Sequence, residues 1–204
     1  IDQVCLALNY LCTAEIDFLT VEQKHRFFED TYHSYGQPAL MLSGGATLGL
    51  FHVGVCKALH DRNLLPKVIS GSSAGSLVTG MLGTHNDEEL VKMYDGEGFY
   101  HHAWTWKKMR EGLLGQGFAE QKQLEHFVRN NIGEFTFEEA FAKTGRHINV
   151  TVSPVQAHKA RLMNELTSPY LLVWSAALAS CAVRILFPAV TLTAKNYQGE
   201  CHPY

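Results

Sequence analysis

The chain has 204 residues, 46% of them hydrophobic and 18% charged, which is enough for one domain with a real core and excludes a disordered chain. A formal net charge of −3 with no long basic run gives no electrostatic basis for binding nucleic acid. The five cysteines (Cys5, Cys12, Cys56, Cys181 and Cys201) are odd in number and lack C-x-x-C spacing, which argues against a disulfide framework or a zinc knuckle and fits reduced thiols in a cytosolic setting.

Asp2 to Cys12 reads as a helix, and its start lacks the basic n-region of a signal peptide. Thr20 to Tyr35 reads as a second helix, with Thr20 and Gln23 at capping-box spacing. Gly36 and Pro38 then break the chain. Residues 1–37 are expected to form a helical N-terminal extension, and residues 38–204 the main domain.

Ala39-Leu40-Met41-Leu42 is a short apolar run between breakers and predicts a buried strand. Ser43-Gly44-Gly45-Ala46 follows as a tight loop. Thr47 to Arg62 has helical periodicity, with Leu48, Phe51, Val55, Ala58 and Leu59 recurring at three and four. Lys67 to Ile69 begins a second strand that ends at Gly71, and the small, apolar segment Ala74 to Gly83 predicts a buried helix. Strand, glycine loop, helix, strand, serine turn, helix implies a parallel sheet with crossover helices.

Asn86 precedes three acids, Asp87, Glu88 and Glu89, which suit a helix N-terminus. Asp95-Gly96 reads as a turn. Residues 96–118 are rich in glycine and aromatics and predict a long loop; Phe99, Tyr100, His101, His102, Trp104 and Trp106 could form a lid or interfacial anchor, or simply pack. His101-His102 has no acid or cysteine at ligand spacing, so no metal site is expected. Gln121 to Asn131 and Phe137 to Lys143 read as helices; Thr136 with Glu139 forms a second capping box, and Gly145 can end its helix. Ile148 to Val152 alternates and predicts a third strand.

Tyr170 to Val190 is largely apolar, but Arg184 and Pro188 interrupt it. The clean part, Leu171 to Val183, is 13 residues, short of the ~20 that span a bilayer. A buried core helix with Pro169 at its first position is expected. Val190 to Thr193 could add a strand, and the ending His202-Pro203-Tyr204, in a polar stretch, is expected to be the end of a fragment of a longer protein.

Gly71-Ser72-Ser73-Ala74-Gly75 is G-x-S-x-G between a strand and a helix, the pattern of a nucleophile elbow. A sharp turn there exposes the Ser73 hydroxyl at the end of the sheet, at a helix N-terminus whose dipole favours developing negative charge. One β–α unit upstream, the amides of Gly44, Gly45 and Ala46 would face the same crevice and could form an oxyanion hole. A Walker-type phosphate loop does not fit, because no Lys-Ser/Thr follows. A dinucleotide fingerprint does not fit either: Ala46 stands where its middle glycine belongs.

Gly44-Gly45-Ala46-Thr47-Leu48-Gly49 followed by Gly71-Ser72-Ser73-Ala74-Gly75 resembles the first two signature blocks of the patatin-like phospholipases, closest to the patatin-domain triacylglycerol lipase branch. His33-Ser34-Tyr35-Gly36, Phe51-His52-Val53-Gly54-Val55, Leu64-Leu65-Pro66, Asn149 to Pro154 and Trp174-Ser175-Ala176 to Ala182 resemble the same branch, so the likeness covers nearly the whole chain. The resemblance implies a three-layer α/β/α sandwich with a mainly parallel sheet, and a Ser-Asp dyad that cleaves lipid esters without metal or cofactor. It implies Ser73 as nucleophile, Gly44, Gly45 and Ala46 as oxyanion hole, and peripheral contact with a membrane or lipid-droplet surface, hence a cytoplasmic or peripheral-membrane location.

Three positions depart from that pattern. Leu48 stands where the family usually has Arg or Lys, which fits the lipase branch and argues against recognition of a charged headgroup there. Arg184, Ile185 and Leu186 stand where the branch usually has Pro-Gly before Phe187-Pro188. The dyad aspartate belongs to a later Asp-Gly block, which is expected beyond Tyr204, and the 204 residues alone are expected to be nearly inactive. Two other readings remain open: a Ser-His-Asp/Glu triad hydrolase using His158 or His202, and a non-catalytic lipid-binding domain with Val183 to Phe187 as its contact patch.

Overall fold

The computed structural model describes residues 1–97, 117–155, 159–182 and 188–204. The aromatic segment 99–106, His158 and the 183–187 patch lie outside the described residues. The chain divides into two compact units, Ile1–Gln37 and Pro38–Tyr204.

The first unit holds α1 (Asp2–Thr13) and α2 (Val21–Tyr35). Thr20 caps α2: its hydroxyl accepts from the Gln23 amide, and the Gln23 side chain accepts from the Thr20 amide, a reciprocal capping box as the spacing predicts. α1 buries no residue. Val4, Leu6, Val21 and Tyr32 are all exposed.

The second unit is built on a four-stranded sheet: β1 (Ala39–Leu42), β2 (Val68–Gly71), β3 (His147–Val152) and β4 (Arg161–Met163), in that spatial order. β1, β2 and β3 run parallel, and β4 pairs antiparallel with β3. Its helices are α3 (Leu50–His60), α4 (Ala74–Thr84), α5 (Asp87–Tyr94), α6 (Gly117–Ile132), α7 (Phe137–Thr144) and α8 (Val173–Cys181). A short hairpin, β5 (Thr193–Lys195) and β6 (Cys201–Pro203), follows. This is a mainly parallel sheet flanked by helices.

Register explains which face is covered. Leu40, Ile69 and Ile148 align across three strands, and Leu42, Gly71, Val150 and Met163 across four. Both rows point to the same side because strand side chains alternate, and that side is the core. The opposite row, Met41, Ser70 and Asn149, is partly open, with Met41 80% exposed. Within Pro38–Tyr204, α4 and α8 pack on the core face of the sheet.

α4 is the axis of the unit. All eleven of its residues are buried, and it packs on β1, β2 and β3 and against α3, α6, α7 and α8. Intrinsic propensity does not explain it, since Gly75, Gly80 and Gly83 each cost about 1 kcal/mol relative to alanine in a helix. Burial does: Leu77, Val78, Met81 and Leu82 are each worth about 1.5–3 kcal/mol. Leu82 and Val78 join Leu42, Cys56, Ile69 and Leu90 in one apolar cluster, while Leu77 and Met81 join a larger one from α6, α7, β3 and α8.

Capping fixes the flanking helices. Asn86 caps α5 reciprocally with Glu89, and Thr136 caps α7 with Glu139. Gly145 ends α7 at φ 65°, in the left-handed region. Burial raises the Glu139 carboxyl, but hydrogen bonds from Lys195 and Thr136 more than offset it and hold it below its usual range. That pair ties α7 to the hairpin.

Three local expectations are corrected. The apolar helix starts at Val173, not at Pro169, because the backbone ahead of it is already engaged in extended pairing. The Leu171 carbonyl accepts from Phe137 N–H, Leu172 N–H donates to Thr193 and Val173 N–H to Phe135. The strand expected over Val190–Thr193 lies instead at Thr193–Lys195; Val190 and Leu192 pack sideways against the core. The helix expected from Thr47 begins as a 3-10 turn, Ala46–Gly49, and becomes α-helical at Leu50.

Candidate active site

Ser73 stands between β2 and α4, as the N-cap of α4, with φ 51° and ψ −123°. A non-glycine residue in that region costs on the order of 1–3 kcal/mol and persists only where its surroundings over-determine it. They do. A Cβ on Gly75 would lie 2.1 Å from the Leu42 carbonyl oxygen, and one on Gly71 would lie 2.4 Å from the Gly75 carbonyl oxygen. The two glycines of the motif are therefore spaces through which β1, β2 and α4 come together. The turn is closed by Gly75 N–H to Ser72 (2.9 Å) and Ser72 N–H to Leu42 (3.1 Å).

Two serines anchor the elbow from α4 and α8. Ser76 Oγ donates to the Ser73 carbonyl at 2.6 Å. Ser73 N–H donates to Ser180 Oγ at 2.8 Å, and Ser180 Oγ donates to the Thr151 carbonyl at 2.7 Å. One hydroxyl therefore pins the elbow, α8 and β3 to one another. The neighbouring Cys181 thiol is pushed up to about 11 by burial, against a smaller opposing pull from the Ser76 and Ser73 hydroxyls. It stays protonated at neutral pH and is no thiolate nucleophile.

The glycine loop lies directly against the serine. A Cβ on Gly44 would be 3.2 Å from Ser73 Cβ and 3.8 Å from Ser73 Oγ. Ser43, Gly44, Gly45 and Ala46 are exposed, and Ala46 has φ 49°. His52, from the first turn of α3, donates its Nε2–H to the Ser43 carbonyl at 2.8 Å and holds the loop's start. Among the described residues, no hydrogen bond occupies the amides of Gly44, Gly45 or Ala46.

The sequence-predicted residues Gly44, Gly71, Ser72, Ser73, Ala74 and Gly75 are thus brought together at the C-terminal ends of β1 and β2, with Gly45 and Ala46 on the same loop. Ser180, Ser76 and Cys181 are additions. Ser180 is 107 positions from Ser73, and no spacing rule links them. Asp95-Gly96 closes α5 as a turn, with Gly96 at φ 87° and Asp95 paired with Lys57 at 3.9 Å. His202 is exposed on β6, where its Nδ1–H donates to the Pro203 carbonyl. Among the described residues, no carboxylate or imidazole hydrogen-bonds Ser73. No described helix is long and apolar enough to cross a membrane.

A family model described as patatin-like phospholipase matches residues 40–199. Triacylglycerol lipase SDP1L of Arabidopsis thaliana is 39% identical over 212 residues, covering 100% of this chain and 26% of that protein. Triacylglycerol lipase 4 of Saccharomyces cerevisiae is 39% identical over 191 residues, covering 86% of this chain and 21% of that protein. The chain spans about a quarter of the length of the curated relatives it matches. Full-length ExoU, solved with full-length SpcU from the type III secretion system of Pseudomonas aeruginosa, superposes with a TM-score of 0.43 at 17% identity, over 74% of this chain and 39% of that chain.

Proposed function

Because this chain belongs to the patatin-like phospholipase family, we propose that it is the nucleophile-bearing part of a serine acyl hydrolase of lipid esters. The contact of Gly44 with Ser73, at the strained end of β2, carries the reading. Ser73 Oγ attacks the ester carbonyl carbon, and its proton passes to a general base. The amides of Gly44, Gly45 and Ala46, with the N-terminus of α4 beneath, stabilise the tetrahedral oxyanion. Collapse expels the alcohol, which takes the proton, and leaves an acyl-serine that water hydrolyses.

Electrostatics make this arrangement effective. The donors belong to a loop held by His52 and by the packing at Gly44, so little reorganisation accompanies charge development. A general base contributes on the order of 10²–10⁴ in rate. In this reading it is the aspartate of a Ser-Asp dyad, supplied from outside residues 1–204. The substrate is a triacylglycerol or phospholipid type ester, met by peripheral contact with a membrane or lipid-droplet surface. The lipases among the relatives favour the first.

The test pairs the full-length polypeptide with its Ser73→Ala variant in an ester-hydrolysis assay, alongside labelling by a fluorophosphonate probe. We expect turnover and labelling in the parent, neither in the variant, and near-background turnover from the 204 residues alone. Undiminished hydrolysis by Ser73→Ala would sink the assignment. Parent-like turnover by the 204-residue chain would sink the external base.

A further inference from the structure

The periodicity after the glycine loop picks out Leu48, Phe51, Val55 and Ala58 as one apolar stripe of a helix. In the fold that stripe faces outward. Leu48 is 66% exposed, Phe51 73% and Val55 50%, and Ala58 is exposed as well. The inward side of α3 is carried by Cys56, with Val53 partly buried against the same core cluster. Apolar residues scattered singly over a surface are ordinary, but a contiguous stripe marks a contact surface.

The stripe is continuous with the loop beside Ser73. The 3-10 turn Ala46–Gly49 leads straight into α3. Leu48 N–H donates to the Gly45 carbonyl at 3.0 Å, and a Cβ on Gly45 would lie 3.6 Å from Leu48 Cβ. Gly44, one residue before, lies against Ser73. Formal charge is missing from the whole stretch: residues 31–56 hold no Asp, Glu, Lys or Arg. The next charges are Lys57, Asp61 and Arg62, toward the other end of α3, where Lys57 pairs with Asp61 at 3.7 Å. The end of α3 beside the loop is therefore apolar, and the opposite end is charged.

We propose that the apolar end of α3, with the Ser43–Ala46 loop, is the surface that seats on a neutral lipid phase such as a triacylglycerol particle. The identity of this partner rests on the hydrolase reading; the stripe itself locates the contact. A protein seated on Leu48 and Phe51 would cover the amides of the adjoining loop, whereas a lipid surface delivers esters to them. Anionic headgroups find no cation on the stripe. Apolar side chains instead sink about 5–10 Å into the acyl boundary and gain as they leave water, while Lys57, Asp61 and Arg62 stay in water and limit the depth.

The test uses the full-length polypeptide. In a Ser73→Ala background, flotation with phosphatidylcholine-stabilised triolein particles is measured with and without two changes. The double variant Phe51→Asp, Val55→Asp is expected to weaken partition about tenfold or more. Gly54 is three residues from Phe51 and four from Ala58, on the same face, and a Cβ there meets nothing within 4 Å. Gly54→Leu is therefore expected to strengthen partition several-fold, a gain that unfolding cannot produce. In the active protein, the ratio of triolein turnover to turnover of dispersed p-nitrophenyl butyrate should move in the same directions. No gain from Gly54→Leu, together with unchanged partition or unfolding of the acidic variant, overturns the surface. So does partition that needs anionic lipid and is lost in salt, or an acidic variant that dissociates a dimer or a protein complex. Absent hydrolysis of every ester, with partition still moved by both changes, removes the hydrolase reading and keeps the surface. Full triolein hydrolysis with partition unmoved removes the surface and keeps the hydrolase.

Discussion

The domain makes two parallel strand-to-helix turns, and they solve the same connection in opposite ways. After β1 the chain spreads into an exposed loop, Ser43–Ala46, and a 3-10 turn before α3. After β2 it reverses at Ser73 with no intervening loop and enters α4, buried along its whole length. α3 leaves Phe51, Gly54 and Val55 exposed. The first turn therefore has backbone donors to offer, and the second has a backbone pinned at both the Ser73 amide and carbonyl. An acyl-transfer site needs both, a nucleophile fixed in position and unpaired amides beside it.

Substitutions that exchange the character of the two turns test the contrast most severely. Gly75→Ala drives a Cβ into the Leu42 and Ser43 carbonyl oxygens, at 2.1 and 2.8 Å. Backbone walls do not yield as side chains do, so a loss of about 3 kcal/mol or more is expected, read as a shift in the denaturant midpoint. Gly44→Ala places its Cβ 3.2 Å from Ser73 Cβ. It should spare the midpoint but lower kcat about 10- to 100-fold by displacing Ser73, the proposed nucleophile; unaltered turnover would separate the loop from the chemistry.

Ser180→Ala deprives the Ser73 amide of its acceptor and Thr151 of its donor. A stability loss of about 1–2 kcal/mol is expected, together with a fall in kcat rather than a rise in KM, both partly restored by Ser180→Thr. Equal effects on all kinetic constants would mark Ser180 as merely structural. At the relaxed turn, Gly54→Ala meets nothing within 4 Å and should stabilise the exposed side of α3 by about 0.5–1 kcal/mol.

The smallest effect is one the two turns share. Cys56 on the buried side of α3 and Cys181 at the end of α8 are both raised to about 11 by burial. Unfolding returns each to about 9, so their contribution to stability is complete below pH 9 and is lost as pH rises toward 11. At pH 8, iodoacetamide should modify the exposed Cys5, Cys12 and Cys201 well before either buried thiol. Rapid modification of Cys181 would mean that the elbow opens.

Much of this was legible in the residues because it is local. Capping boxes at Thr20 and Thr136 span four residues and are satisfied as their spacing predicts, and the helix start expected after Asn86 proves to be capped the same way. β1 has the bounds of its apolar run, but the buried strand expected there is corrected: only Leu42 is buried and Met41 is exposed, because Met41 lies on the open face of the sheet. The elbow was legible for a related reason: glycines at 71 and 75 leave few alternatives for a strand that must turn straight into a buried helix. β4 was not legible, since Arg161-Leu162-Met163 has no alternation of its own and forms only because β3 offers an edge. The late start of α8 was missed for the same reason, Leu171 and Leu172 being extended by partners more than twenty residues away in the chain.

The sequence by itself determined the order of the helices and of the three parallel strands, the position of Ser73 at a strand–helix junction and the existence of a glycine loop one unit upstream. Those features rest on local periodicity, turn chemistry and capping, whose interactions close within a few residues. Only the tertiary structure decided that Gly44 lies against Ser73, that Ser180 holds the Ser73 amide, and that an apolar cavity opens at the end of α8. Each of these depends on the packing of α4 and α8 against one face of the sheet, which no local spacing encodes.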